Sequence, residues 1–136
     1  MNAQPFTETL DWLAFTVPQA TVEEVRTMVG GDWFEAKSGF RGYPTSWLTT
    51  KGRQGVGKLG TGAHRNPKEV HVDLSGGIVS TWDEAKVRTV LAWVFAQQGH
   101  VTRMDVALDD RSASVPVEQI RQAVNFHMKR TPITFR

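Results

Sequence analysis

Ten residues near the carboxy-terminal end, Val101-Thr102-Arg103-Met104-Asp105-Val106-Ala107-Leu108-Asp109-Asp110, constrain the fold more than any other stretch of this chain. Their apolar positions recur with a period of two, the signature of a strand with one buried face. Thr102, Met104, Val106 and Leu108 form the apolar row, and Arg103, Asp105, Ala107 and Asp109 the opposite one. Burial accounts for the first row. It does not call for a guanidinium and two carboxylates on the second. Carboxylates four residues apart on one strand lie roughly 13 Å apart, so a site here needs ligands from another strand. Glu69-Val70-His71-Val72-Asp73-Leu74-Ser75 alternates in the same way, with Val70, Val72 and Leu74 inward and His71, Asp73 and Ser75 outward. If the two strands are neighbours, His71, Asp73, Arg103, Asp105 and Asp109 line one open sheet surface. Hard oxygen donors with one imidazole suit Mg²⁺ or Mn²⁺; a solvated antiparallel face would carry the same alternation.

A second constraint is charge. The net charge is only +2, but Ala36 to Lys68 holds seven basic residues, Lys37, Arg41, Lys51, Arg53, Lys58, Arg65 and Lys68, and no Asp or Glu. The fourteen acids lie elsewhere, against the nine remaining Lys and Arg. Such polarisation points to an anionic partner, above all a nucleic-acid backbone. Tyr43 and Trp47, both inside the segment, are candidates for stacking on unpaired bases.

The rest of the chain reads as β-α-β-β-β-α-β-α, one domain over residues 1–136. Thr9 to Val17 is a strand ended by Pro18. Thr21-Val22-Glu23-Glu24 is a capping box opening a short helix that Gly30-Gly31 ends. Gly39 to Thr50 reads as a strand interrupted by Pro44, and the glycine-rich Lys51 to Pro67 as a hairpin with a mobile tip. Thr81-Trp82-Asp83-Glu84 is a second capping box, before a helix ended by Gly99. A third helix is expected near Pro116 to Lys129, and a strand from Thr131 to Arg136. Helices then cover one face of an antiparallel sheet, a ferredoxin-like or RRM-like α+β plan. No cysteine is present, which excludes disulfides and zinc thiolates and fits a cytoplasmic location. No apolar run approaches a membrane span, and Walker and dinucleotide-binding motifs do not occur.

The segments Leu10-Asp11-Trp12-Leu13-Ala14-Phe15-Thr16, Gly39-Phe40-Arg41-Gly42-Tyr43, Val72-Asp73-Leu74-Ser75-Gly76 and Val101 to Asp110, taken in order, resemble the replication initiation factors of rolling-circle replication. These are plasmid and phage Rep proteins with related conjugative relaxases. The resemblance runs across most of the chain and implies the amino-terminal part of a site-specific DNA nicking-closing enzyme. In that family a tyrosine hydroxyl attacks a DNA phosphodiester while a divalent cation polarises the phosphate. By the resemblance Asp105 is the leading acidic active-site position, with Asp109 and Asp73 behind it; from the strand faces Arg103 is a candidate beside them, and His71 is a candidate metal ligand alongside or in place of Asp73. The family tyrosine lies downstream, near an Arg-Ile-Tyr-Asp-Lys-like strand. The single tyrosine here, Tyr43, sits at a position the family does not use, so the chain is either the amino-terminal part of a longer initiator, its carboxy-terminal catalytic region missing here, or a short relative. No His-hydrophobe-His pair occurs, so only the variant lacking that signature fits. Two readings compete with an initiator: a non-catalytic single-stranded nucleic-acid module or competitor of a full initiator, and a domain that mediates homodimer contacts. DNA, single-stranded or as origin duplex, is the expected partner.

Overall fold

Val70, Val72 and Leu74 are fully buried and alternate along β5 (Asn66–Ser75), as residues of a strand with one core-facing row must. The computed structural model describes residues 6–51, 55–110 and 133–135. Around β5 lie β1 (Phe6–Val17), α1 (Val22–Val29), β2 (Trp33–Glu35), β3 (Thr45–Lys51) and β4 (Gly55–Ala63), then α2 (Gly76–Val79), α3 (Glu84–Ala96), β6 (His100–Asp110) and β7 (Ile133–Phe135). The strands form one sheet in the order β2-β3-β4-β5-β1-β6-β7. The first six are antiparallel, and β7 runs parallel to β6. Val25 and Val29 of α1, Ile78 and Val79 of α2, and Val90, Leu91 and Val94 of α3 share one core with Leu13, Phe15, Val17, Leu59 and Val72 of the sheet. The helices therefore gather on one face, and the α+β class expected from the sequence is the one observed. No described helix is long and apolar enough to cross a membrane.

Three details depart from the sequence reading. Glycine-rich residues 55–63 form strand β4 throughout, because neighbours press on both of its faces. A Cβ on Gly57 would lie 2.7 Å from the Thr49 side chain and 3.0 Å from that of Leu74; on the other face Gly60 makes room for an aromatic ring. The strand expected from Gly39 begins only at Thr45, and residues 36–44 fold back over the sheet. The first capping box is present, with the Thr21 hydroxyl accepting from the Glu24 amide at 3.0 Å and the Glu24 carboxylate from the Thr21 amide at 3.1 Å. The second is not. Asp83 caps α3 by accepting from the Lys86 amide at 2.7 Å, while Thr81 donates to the Ile78 carbonyl at 2.7 Å. Asp83 is a stronger cap than a threonine two residues earlier, and the short helix α2 occupies Thr81. The expected third helix, Pro116 to Lys129, lies outside the described residues.

Candidate nucleic-acid interface

The two strands singled out by their acidic rows are not neighbours. β1 runs between β5 and β6 and pairs with both. Their polar rows still meet on the face that no described helix covers, because residues opposite each other in a ladder share a face. One register row crosses six strands as Phe34, Leu48, Lys58, Asp73, Ala14 and Arg103. A second sets Trp12 between Ser75 and Asp105, and a third runs Ser46, Gly60, His71, Thr16, His100.

Two bulges set this arrangement. Leu10 pairs with Val106 and Trp12 with Asp105, so Asp11 is an extra residue in β1. Leu10 can then pack on the core while Trp12, two residues on, turns to the open face. In β6, Arg103 pairs with Ala14 and Val101 with Phe15, which leaves Thr102 over. Thr102, expected on the apolar row, is exposed, and Val101 is buried in its place.

Asp73 and Asp105 flank β1 and are both buried, with relative exposures of 7% and 2%. Trp12 joins them. Its indole Nε1 donates to Asp73 Oδ1 at 2.5 Å, and the Arg103 guanidinium lies over its ring, Cζ 4.3 Å from the centroid. Arg103 holds Asp105 by two bonds, Nη2 to Oδ2 at 2.7 Å and Nε to Oδ1 at 3.3 Å. That fork is the geometry in which guanidinium and carboxylate bind best, and bonding to Asp105 holds Arg103 still further toward its charged form. Asp73 is faced by Arg41, Nη2 to Oδ2 at 3.3 Å. Two buried carboxylates thus carry two cations whose outer sides are exposed, an arrangement able to receive a phosphate.

Arg41 reaches Asp73 from a strained turn. Phe40 and Tyr43 exchange backbone bonds at 2.9 and 2.8 Å, and between them Arg41 and Gly42 have φ of 50° and 83°. These are the two left-handed positions of a type I′ turn, the first of them disfavoured for arginine. The turn also lays two rings against His71: Phe40 with centroids 5.9 Å apart, and Tyr43 parallel to within 2° at 5.8 Å. His71 Nδ1 bonds the Thr16 hydroxyl at 2.9 Å, and its buried Nε2 has no partner among the described residues. Burial lowers the His71 pKa, abetted by Arg41 and His100 and opposed by Asp73 and Glu69, so the ring is neutral near pH 7. The Tyr43 hydroxyl donates to Glu69 Oε2 at 2.8 Å and accepts from Arg65 Nη2 at 3.1 Å. Burial, followed by the Glu69 bond and charge, pushes its pKa up to about 12. It is a packed phenol that keeps its proton.

Asp73, Asp105, Arg103, Arg41, His71 and Lys58 come together on this face, with Lys58 Nζ 5.6 Å from the Phe40 ring centroid. Arg65 is tied to Glu69 at 2.7 Å, and Lys68 lines a shallow depression with Pro18 and Ala96. Trp47 belongs to the helix-covered side, where Arg26 stacks on it at 4.4 Å. Tyr43 is buried and offers no free ring face to a base. Arg53 and the side chains of Lys51 and Asp109 lie outside the described residues. Sequence reasoning missed Trp12, Thr16 and Phe40 in the site. Trp12 reads as core because the bulge that turns it outward leaves no local mark; its one signal is an indole N–H, which needs a partner when buried.

The fold and face define a class: an antiparallel α+β sheet, helices behind it, with an acidic and basic polar array in front. Scans of family models and of curated proteins return no match. Among solved structures, the chain is similar to a rolling circle replication initiator protein from Geobacillus stearothermophilus, with a TM-score of 0.55 and 16% identity over 89% of this chain. It spans 51% of that protein's length. At this identity the likeness is one of fold.

Proposed function

We propose that this chain is the DNA-binding part of a rolling-circle replication initiator, in which the open sheet face presents a single strand to a tyrosine nucleophile supplied from elsewhere in the complete protein. The observation that carries this reading is the pair of buried carboxylates, Asp73 and Asp105, held by Trp12, Arg103 and Arg41 on the face that no described helix covers, in a sheet that resembles an initiator's.

Among the described residues no three His, Cys, Asp or Glu side chains group to hold a metal. His71 shares the face, but its ring is enclosed by Phe40 and Tyr43. An all-protein cage does not fit. Mg²⁺ and Mn²⁺ keep several waters and take further ligands from phosphate, so such an ion would need only a few protein oxygens. Asp73 and Asp105 would hold such an ion, which when bound would act as a Lewis acid on the scissile phosphate. Arg103 and Arg41 neutralise the same phosphate from its exposed sides, and Trp12 keeps Asp73 oriented. Tyr43, protonated and doubly bonded, takes no nucleophilic role.

Fluorescence anisotropy of a labelled single-stranded oligonucleotide at low salt, with and without Mn²⁺, tests this reading. Wild type is expected to bind more tightly with Mn²⁺, and Asp105→Asn to lose that gain while remaining folded. Binding indifferent to Mn²⁺ in the wild type would replace the initiator reading with the non-catalytic module. Arg103 and Arg41 already neutralise both acids, which is the observation favouring that alternative.

A further inference from the structure

We propose that the outer part of the open face, on β2, β3 and β4, is a stacking subsite for unpaired bases, with Phe34 as its platform and Lys58 as the phosphate contact between that platform and Asp73. The proposal rests on the nucleic-acid reading above and adds to it the form of the ligand and where it lies.

Phe34 occupies the outermost described strand, yet it is 52% exposed, the most exposed of the large apolar side chains described. A core role does not explain it, since Trp33 and Trp47 beside it are the residues packed on the core. Phe34, Leu48, Lys58 and Asp73 stand directly opposite one another on four successive strands. At about 4.8 Å per strand, Phe34 lies about 14 Å from Asp73 across the sheet, the span of a few nucleotides of extended strand. The surface between them is apolar and cationic. Leu48 is half-buried, Val56 exposed on the same face, and Lys58 and Arg41 flank the Phe40 ring. Ala36 to Lys68 contains no acid to repel a phosphate.

This charge pattern argues for nucleic acid over a protein partner. An exposed ring with a lysine two strands away on the same register row suits unpaired bases, which offer free faces for stacking. In duplex DNA those faces are already occupied by the neighbouring pairs.

The test uses the full chain and two labelled oligonucleotides of equal length, one natural and single-stranded, the other abasic. Phe34→Ala is expected to weaken the natural oligonucleotide about 5- to 10-fold, the low end for one stacked base because half the ring is covered, and to leave the abasic one unchanged. Phe34→Trp restores the loss, which separates stacking from any effect on folding. Lys58→Ala weakens both and reduces the magnitude of the salt slope by about 0.7. Equal effects of Phe34→Ala on both oligonucleotides, or none, would overturn the proposal. So would a change in sedimentation with unchanged binding, which would make the patch a surface for a second copy. If the wild type binds neither oligonucleotide, the initiator reading falls too; if it binds with its Mn²⁺ dependence intact while Phe34→Ala is silent, only the subsite falls.

Discussion

Gly60→Ala offers a direct test of how the site is built. Gly60 lies opposite His71 in the ladder, and the Tyr43 ring packs flat over its backbone. A Cβ at Gly60 would sit 2.7 Å from Tyr43 Cβ, 2.8 Å from Cγ and 2.9 Å from Cδ2. The ring has little freedom to retreat, because its hydroxyl is bonded to Glu69 and Arg65 and its other contact is the stack on His71. Forcing a methyl into a packed site costs about 1–3 kcal/mol, while replacing a strand glycine with alanine returns about 0.5–1 kcal/mol of backbone entropy. The net loss expected is about 1–2 kcal/mol, or a melting temperature lower by about 4–8 °C for a domain this size. Urea unfolding followed by tryptophan fluorescence measures it. The decisive arm is the double variant: with Tyr43→Gly in place both the ring and its Cβ are gone, and Gly60→Ala should become neutral or stabilising. If Gly60→Ala costs as much without the ring as with it, the steric account is wrong. Because the same turn carries Arg41 to Asp73, the single variant should also weaken oligonucleotide binding.

Two other perturbations address the buried polar groups. Trp12→Phe keeps the aromatic plate but removes the N–H that Asp73 accepts; leaving a buried carboxylate short of one donor should cost about 1–3 kcal/mol, and a loss below about 0.5 kcal/mol in urea unfolding would mean that solvent replaces the indole. His71 titrates lower when folded than when unfolded, so the unfolded chain binds the extra proton. Stability should therefore fall as pH drops below about 6.5, and His71→Gln should flatten that fall; an unchanged slope would show that the ring is not protected.

What the chain determines by itself is the periodicity of its strands and the sign of its charges. Val70 to Leu74 and Met104 to Val106 carry their faces in local alternation, so the acids Asp73 and Asp105 were legible as one side of a sheet before any neighbour was known. The acid-free run from Ala36 to Lys68 was equally plain. Tertiary structure alone decided how those faces meet. β1 enters between the two acidic strands, a pairing across more than fifty residues that no local pattern encodes. The bulges at Asp11 and Thr102 reverse the alternation partway along a strand, so Trp12 joins the site and Val101 replaces Thr102 in the core. The glycines of β4 look like turn residues in sequence because glycine reports missing bulk without saying what fills the space. Thr49 and Leu74 on one face, and Tyr43 on the other, fill it here. Side-chain period is a property of neighbours along the chain, whereas a site is made by neighbours in space, and here the two coincide only as far as the first bulge.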